Sequence, residues 1–126
     1  TYVQTRGPSA VSTNPCAYDL DRFECTYQDF QAHGHPDPRV WITEFGWESN
    51  TPDPGYSEFG AVTEREQADY TIAALELFRS SGMVAGAYAF LFRTDANWNY
   101  NLLRPDNTEK PVVGRLREYL ATDTQP

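Results

Sequence analysis

The feature of this sequence that most constrains its fold is an alternation of apolar, strand-like runs with amphipathic helical segments. The run from Arg39 to Phe45 is rich in β-branched and aromatic residues and stops at Gly46, as a buried strand does. A second apolar run of strand length extends from Met83 to Phe92 and needs cover on both faces. Strands that alternate with helices are typical of α/β proteins, in which right-handed crossovers join parallel strands. We therefore expect an α/β fold with parallel strands.

The helix between these two strands has the clearest boundaries. A loop rich in Pro, Gly and Ser runs from Trp47 to about Val62, and Thr63 then stands at an N-cap position. Glu66 follows three residues later, which completes a capping box, and Gly82 ends the pattern. The residues predicted to face the sheet are Ala68, Thr71, Ile72, Leu75 and Phe78.

Two further helices and one short strand complete the predicted order. Asp19 or Asp21 can cap a helix that ends near Gly34, and Pro111 suits the first turn of a last helix. Thr1–Gln4 resembles the end of an earlier strand, because β-branched and aromatic residues dominate it. The predicted inward residues are Phe23, Tyr27 and Phe30 in the first helix, and Val112, Val113, Leu116, Tyr119 and Leu120 in the last.

The length of the sequence limits whether its strands can form a closed barrel. The sequence has 126 residues, whereas a closed eight-stranded α/β barrel takes roughly 250. A sheet of three parallel strands would leave both edges bare, and an apolar parallel edge promotes aggregation. We therefore expect the chain to be part of a larger barrel or to pair its edges with another chain.

Charge and composition exclude several functions. The formal net charge of −8 disfavours nucleic acid and anionic lipid as partners, because both are bound through clustered cations. No run approaches the ~20 apolar residues of a membrane-spanning helix. The sequence also lacks a phosphate-binding glycine loop, a serine nucleophile elbow and a reactive thiolate motif, so we expect no cofactor. A neutral ligand such as a sugar remains compatible with this charge.

The two cysteines, Cys16 and Cys25, leave two alternatives open. A short disulfide loop would fit an exported protein, where oxidation persists, whereas two buried free thiols would fit a cytosolic one. Because the first residue is Thr1 rather than Met, we expect a processed, trimmed or incomplete chain from which a signal peptide could have been lost.

The sequence contains one possible metal-binding motif, for which a structural role is the more favoured interpretation. His33, His35 and Asp37 alternate in a way that could ligate a metal ion. They follow a predicted helix end, however, where the helix dipole already favours histidine. We favour the structural interpretation and expect no metal site.

Glu44 is the candidate catalytic residue. It lies near the carboxyl end of the first predicted strand, and in parallel α/β proteins that end of the sheet forms the ligand crevice. Strict alternation would place Val40, Ile42 and Glu44 on one face. Gly46 removes a side chain where a ligand or tight turn passes, and Trp47 offers a flat apolar ring for sugar stacking. The alternative is a structural glutamate held in an ion pair, and strand position alone does not separate the two.

These residues also carry a family resemblance. The segment 40–47, Val-Trp-Ile-Thr-Glu-Phe-Gly-Trp, resembles the end of the seventh strand in retaining (β/α)8 glycoside hydrolases of the large cellulase-like clan. Gln67-Ala68 in the capped helix and Gly86–Phe90 in the next strand agree in order with those families. Asn101–Asp106 and Lys110-Pro111 are similar to the turn after their eighth strand and to their final helix.

The resemblance implies roles for individual residues. Glu44 would be the catalytic nucleophile, and Tyr2, at the end of the sixth strand, would donate a hydrogen bond to it. The eighth strand of these families ends in a tryptophan platform, whereas here Phe90–Arg93 stands at that point and Trp98 in the next loop is the candidate substitute. Residues 1–126 would then be an incomplete TIM-barrel glycosidase domain, from a stub of strand six to the final helix.

The expected function follows from that resemblance. We expect a secreted or extracellular retaining glycoside hydrolase that cleaves O-glycosidic bonds of β-linked oligo- or polysaccharides. The acid/base glutamate of these families has no match here. Glu48, Glu58 and Asp95 could line the cleft, but each is more often a solvated loop charge, so we expect the acid/base outside this chain. The isolated chain should be inactive without the remainder of the barrel. The alternative is a non-catalytic carbohydrate-binding or structural α/β module that merely keeps Glu44.

Overall fold

The computed structural model describes residue 20 and residues 22–49, 62–93 and 99–123. The elements in this part of the chain are α1 (Arg22–Ala32), β1 (Val40–Phe45), α2 (Glu64–Ser81), β2 (Val84–Ala89) and α3 (Pro111–Asp123). β1 and β2 form a two-stranded parallel sheet with α2 between them in sequence, which confirms the predicted α/β alternation and the parallel pairing. None of the described helices combines the length and apolar character needed to cross a membrane. The predicted strand at Thr1–Gln4 and the caps Asp19 and Asp21 lie outside the described residues.

α2 begins as predicted, with a complete capping box. The Thr63 hydroxyl accepts a hydrogen bond from the Glu66 backbone N–H at 3.1 Å, and the Glu66 carboxylate accepts one from the Thr63 N–H at 2.8 Å. The Glu66 carboxylate also accepts a hydrogen bond from the Thr63 hydroxyl at 2.8 Å. The two hydrogen bonds that this carboxylate accepts, from the Thr63 N–H and the Thr63 hydroxyl, lower the pKa of Glu66. The helix ends at Gly82, whose positive φ of 68° suits glycine.

The main apolar core lies between one face of the sheet and the helices α1 and α2. Ile42 and Phe45 of β1 meet Phe78 of α2 and Phe23 of α1 in one buried cluster. The Phe78 ring packs edge-on against both Phe45, at 5.3 Å, and Phe23, at 5.6 Å. A second cluster joins α2 to α3 and contains Ala68, Leu102, Val112 and Val113. The helix-facing side of the sheet is therefore well covered.

The opposite face of the sheet is open in the described part of the chain. Trp41 and Tyr88 stack there with ring centroids 6.2 Å apart, and their side chains are 59% and 57% exposed. Gly86 lies against the Trp41 ring, which a Cβ at that position would overlap. The apolar run at Met83–Phe92 was expected to be covered on both faces, and the described residues cover only one.

β2 is shorter than predicted and ends at Ala89 rather than at Phe92. The Phe90 N–H still donates to the Phe45 carbonyl at 2.7 Å. Beyond that point the chain turns toward the following loop, where the Leu91 carbonyl accepts from the Leu102 N–H at 3.1 Å. Apolar residues therefore continue past the end of sheet pairing, and the last of them, Phe92, is exposed.

Two predicted inward residues point outward. Phe30 in α1 is 48% exposed and packs edge-on against His35, in the turn that leads to β1. Leu120 in α3 is 57% exposed, whereas Val112 and Val113 in the first turn are buried. In α1 the buried residue Phe23 lies at the N-terminal end, and in α3 the residues that pack against α2 are Val112, Val113 and Leu116.

Candidate active site

A one-residue irregularity in β1 determines where Glu44 lies. Ile42 pairs with Ala87 and Phe45 pairs with Ala89, so three steps along β1 match two steps along β2. This two-against-one count is that of a β-bulge, which interrupts the side-chain alternation of a strand. Glu44 stands within the bulge, one residue before the strand ends.

The predicted shared face of Val40, Ile42 and Glu44 is therefore wrong at its last member. Ile42 and Phe45 are both buried toward α2, although they are three residues apart, and Thr43 and Glu44 between them are exposed. The extra residue returns Phe45 to the helix-facing side and leaves the carboxylate away from that core. Glu44 thus lies at the carboxyl end of a parallel strand, outside the helix-covered layer.

Gly46 permits a close contact between the two strand ends. A Cβ at this position would overlap the Phe90 carbonyl oxygen, and the Tyr100 ring also lies within van der Waals distance. The residue was predicted to make room for a ligand or a tight turn. In the structure the space that Gly46 leaves is used by backbone at the end of β2, which brings the exits of both strands together.

Trp47 is a buried residue in the described structure. Its side chain is only 1% exposed, and its ring packs against Phe45 at 6.5 Å and Tyr70 at 5.6 Å. A sugar platform needs an open ring face. In this arrangement Trp47 holds the exit of β1 onto α2 and offers no such face, so its predicted role in sugar stacking would require movement of these neighbours.

A buried polar network connects the loops that follow the two strands. The Gln67 side-chain amide of α2 donates to the Trp47 carbonyl at 2.8 Å and to the Tyr100 carbonyl at 3.3 Å. The Lys110 ammonium donates to the Ser49 hydroxyl at 2.9 Å and to the Asn99 carbonyl at 3.1 Å. Sequence reasoning did not assign these residues to the site. Two features of the sequence could have indicated them: Gln67 is a polar residue within the predicted α2 pattern, and Lys110 is the only lysine of the sequence.

A charged contact fixes the same region from outside. Arg104 donates two hydrogen bonds to the Glu64 carboxylate, at 3.0 and 2.6 Å, and so ties the loop before α3 to the first residue of α2. These bonds raise the pKa of Arg104. The Arg104–Glu64 contact is bidentate, so it fixes the relative orientation of the two side chains as well as their distance.

The remaining predicted residues are only partly placed. Two further candidate substrate-site residues, Tyr2, predicted to hydrogen-bond Glu44, and Trp98, the candidate sugar platform, lie outside the described residues, as do Glu58 and Asp95. Glu48 is half-buried in the loop after β1, where its carbonyl accepts a hydrogen bond from the Val62 N–H at 2.9 Å. The predicted roles of Tyr2 and Trp98 therefore stay predictions.

The histidine and cysteine motifs add no second site among the described residues. The His33 ring nitrogen Nδ1 lies 2.8 Å from the Asp29 carbonyl, at the end of α1. The part of the chain that the structure describes contains no cluster of three potential metal-ligating side chains. Cys25 is partly buried on α1 and is not a free thiol, and Cys16 lies outside the described residues, so their pairing stays a prediction.

No model of a known protein family matches this sequence, and no curated protein matches it at a significant level. What the chain itself offers is an exposed carboxylate at the end of β1. A close approach at Gly46 and a buried polar network hold the two strand exits together beside it.

Proposed function

We propose that this chain carries the nucleophile of a retaining glycoside hydrolase acting on β-linked oligo- or polysaccharides. The observation that carries the proposal is the position of Glu44. Glu44 is an exposed residue on a bulge at the carboxyl end of a parallel strand, and it is not part of the helix-covered core. In α/β proteins this is where catalytic side chains meet bound ligand.

The chemistry assigns Glu44 one half of a two-step displacement. Its carboxylate attacks the anomeric carbon as the glycosidic bond breaks, and a second carboxylic acid protonates the leaving oxygen. That second group then takes a proton from water, which attacks the glycosyl ester and releases Glu44. Retention requires the two carboxyl groups to lie roughly 5–5.5 Å apart. We assign the acid/base to polypeptide outside these 126 residues, and expect the isolated chain to have no turnover.

The proposed architecture is the C-terminal part of a (β/α)8 barrel. Two features support it. Within the described residues the helices cover one face of the sheet, and the opposite face presents the apolar Trp41–Tyr88 pair, as the interior face of a barrel wall would. Barrel closure would also satisfy the strand edges that a two-stranded parallel sheet leaves unpaired. Secretion is the matching proposal for location, supported by the sequence spacing of Cys16 and Cys25.

Covalent labelling tests the role of Glu44 directly. A 2-deoxy-2-fluoro-β-glycoside with a dinitrophenolate leaving group needs no acid catalyst for the first step, because that leaving group departs unprotonated. We expect the polypeptide that contains the complete site to be labelled on the peptide bearing Glu44. Glu44→Gln should abolish labelling. Glu48→Gln, four residues further on, is the matched control and should leave it intact; a label that maps elsewhere would refute the proposal.

A non-catalytic carbohydrate-binding module is the second candidate. The observation in its favour is the stacked and exposed Trp41–Tyr88 pair, since exposed aromatic rings are surfaces on which sugars stack. This candidate predicts glycan binding that Trp41→Ala abolishes and Glu44→Gln leaves unchanged, without covalent labelling. The hydrolase instead predicts covalent labelling that Glu44→Gln abolishes, so mass analysis of protein treated with the fluoroglycoside separates the two, with isothermal titration of Trp41→Ala as the binding control.

A further inference from the structure

Lys110 is the only lysine of a sequence that otherwise uses arginine for its cations. Its side chain is only 5% exposed. Its backbone is fixed at the start of α3, where the N–H donates to the Leu102 carbonyl at 3.1 Å and the carbonyl accepts from the Val113 N–H at 3.0 Å. The lysine stem therefore extends from a fixed point into the interior.

The ammonium group joins two loops that are distant in sequence. Lys110 Nζ donates to the Ser49 hydroxyl at 2.9 Å, across 61 residues, and to the Asn99 carbonyl at 3.1 Å. The Ser49 N–H donates to the same Asn99 carbonyl at 3.0 Å, and Ser49 is 1% exposed. We call these three groups, Lys110 Nζ, Ser49 and the Asn99 carbonyl, the Lys110 bridge. It connects the exits of β1 and β2 through the base of α3.

Burial of this ammonium opposes folding stability. Desolvation lowers the pKa of Lys110, and the nearby Arg104 lowers it further, while the carboxylates of Glu64 and Glu48 raise it. A buried charge is often replaced by an apolar side chain with no loss of stability. An apolar replacement would lose the directed hydrogen bonds from this ammonium to the two loops.

We propose that Lys110 is a positioning residue, which holds the exit of β1 in the geometry that presents Glu44. The inference rests on the proposed function. Ser49 lies five residues beyond Glu44, and Gly46 and Trp47 between them are already in close contact with the end of β2 and with α2. The Lys110 bridge holds the C-terminal end of the segment 44–49, at Ser49. Small displacements of a nucleophile have large effects on reaction rate, whereas they need not change binding.

The first test measures the bridge without any reference to activity. In Lys110→Met, hydrogen exchange of the Ser49 amide should be about tenfold faster, because its loop loses the contact to α3. The thermal midpoint should be unchanged or higher, since a buried charge has been removed. Arg65→Met, at an exposed cation of α2, is the control and should change neither. Unchanged protection at Ser49 in folded Lys110→Met would overturn the proposal.

Ser49→Ala keeps the cation and removes one of its acceptors, so it covers the case in which Lys110→Met does not fold. It should also speed exchange in residues 47–49. If this variant folds with unchanged protection there, the bridge does not hold the loop.

The second test separates positioning from binding. In the polypeptide that contains the complete site, Lys110→Met should lower the rate constant for labelling of Glu44 by the fluoroglycoside about tenfold, with the dissociation constant of the reagent unchanged. An unchanged labelling rate together with faster loop exchange would make Lys110 a structural residue only and overturn the inference. Absence of labelling in the wild type would instead refute the proposed hydrolase, and the exchange measurement would still decide the Lys110 bridge.

Discussion

At the scale of single residues, one extra position in β1 determines which side of the sheet carries the candidate nucleophile. Regular alternation would group Glu44 with Ile42, in the core that faces α2. The bulge places Phe45 there instead and exposes Glu44. Glu44 could be chosen as a candidate site residue from its place at the end of an apolar run. The side of the sheet on which Glu44 lies depends on the pairing of β1 with β2. Register is a property of two strands, and neither strand specifies it alone.

Gly46 gives a prediction at this scale. Gly46→Ala should lower the free energy of unfolding by about 1–3 kcal/mol, because the new Cβ would overlap the Phe90 carbonyl, which is backbone and has little freedom to move. Gly114→Ala is the matched control. It adds the same methyl group on α3 with nothing within 4 Å and should stabilise by about 0.5–1 kcal/mol. Urea denaturation of the two variants checks the opposite signs.

At the scale of elements, local signals were sufficient where the stabilising groups are neighbours in sequence. The α2 boundaries at Thr63 and Gly82 agree with prediction because a capping box and a left-handed glycine are local structures. The end of β2 is not determined by residues close to it in sequence. It depends on Phe90 pairing with Phe45 and on Leu91 turning to meet Leu102, so composition alone predicted too long a strand.

Thr63→Ala tests the cap of α2. It should cost about 1 kcal/mol at neutral pH, measured by chemical denaturation, because the Glu66 N–H loses its acceptor and the Glu66 carboxylate loses the Thr63 hydroxyl donor. The folded-state pKa of Glu66 is lowered, so the stability contributed by its carboxylate is present above the ordinary glutamate pKa and is lost as pH falls through the lowered value. The cost of the substitution should therefore shrink below about pH 4. Thr26→Ala, on α1, is the control and should be near neutral at both pH values; a cost independent of pH would contradict the assignment.

At the scale of the whole molecule, the sheet has one face in a folded core and one apolar face open in the described part of the chain. An α/β layer normally buries both faces of a parallel sheet. Trp41 and Tyr88 are stacked over Gly86 and are more than half exposed, so they form a contiguous apolar surface beside strand edges that no described strand pairs. Such a surface promotes association.

We expect the 126-residue chain to self-associate through this face as its concentration rises. Trp41→Thr should shift sedimentation toward the monomer while costing little stability, because the side chain is 59% exposed. Leu120→Thr is the control: it removes a comparably exposed apolar residue from α3 and should leave association unchanged. A chain that stays monomeric at millimolar concentration would contradict the prediction that this face mediates self-association.

For the described elements α1 to α3, the amino-acid sequence by itself determined the order of helices and strands, the parallel α/β class and the start of α2, because periodicity and capping are set by residues close in the chain. It also singled out Glu44. Only the tertiary structure decided that Trp47 is buried against Tyr70, that the bulge turns Glu44 away from the core, and that Lys110 reaches Ser49. These outcomes depend on contacts between segments 20 to 60 or so residues apart, whose geometry arises when the strands pair and α2 and α3 pack against their exits.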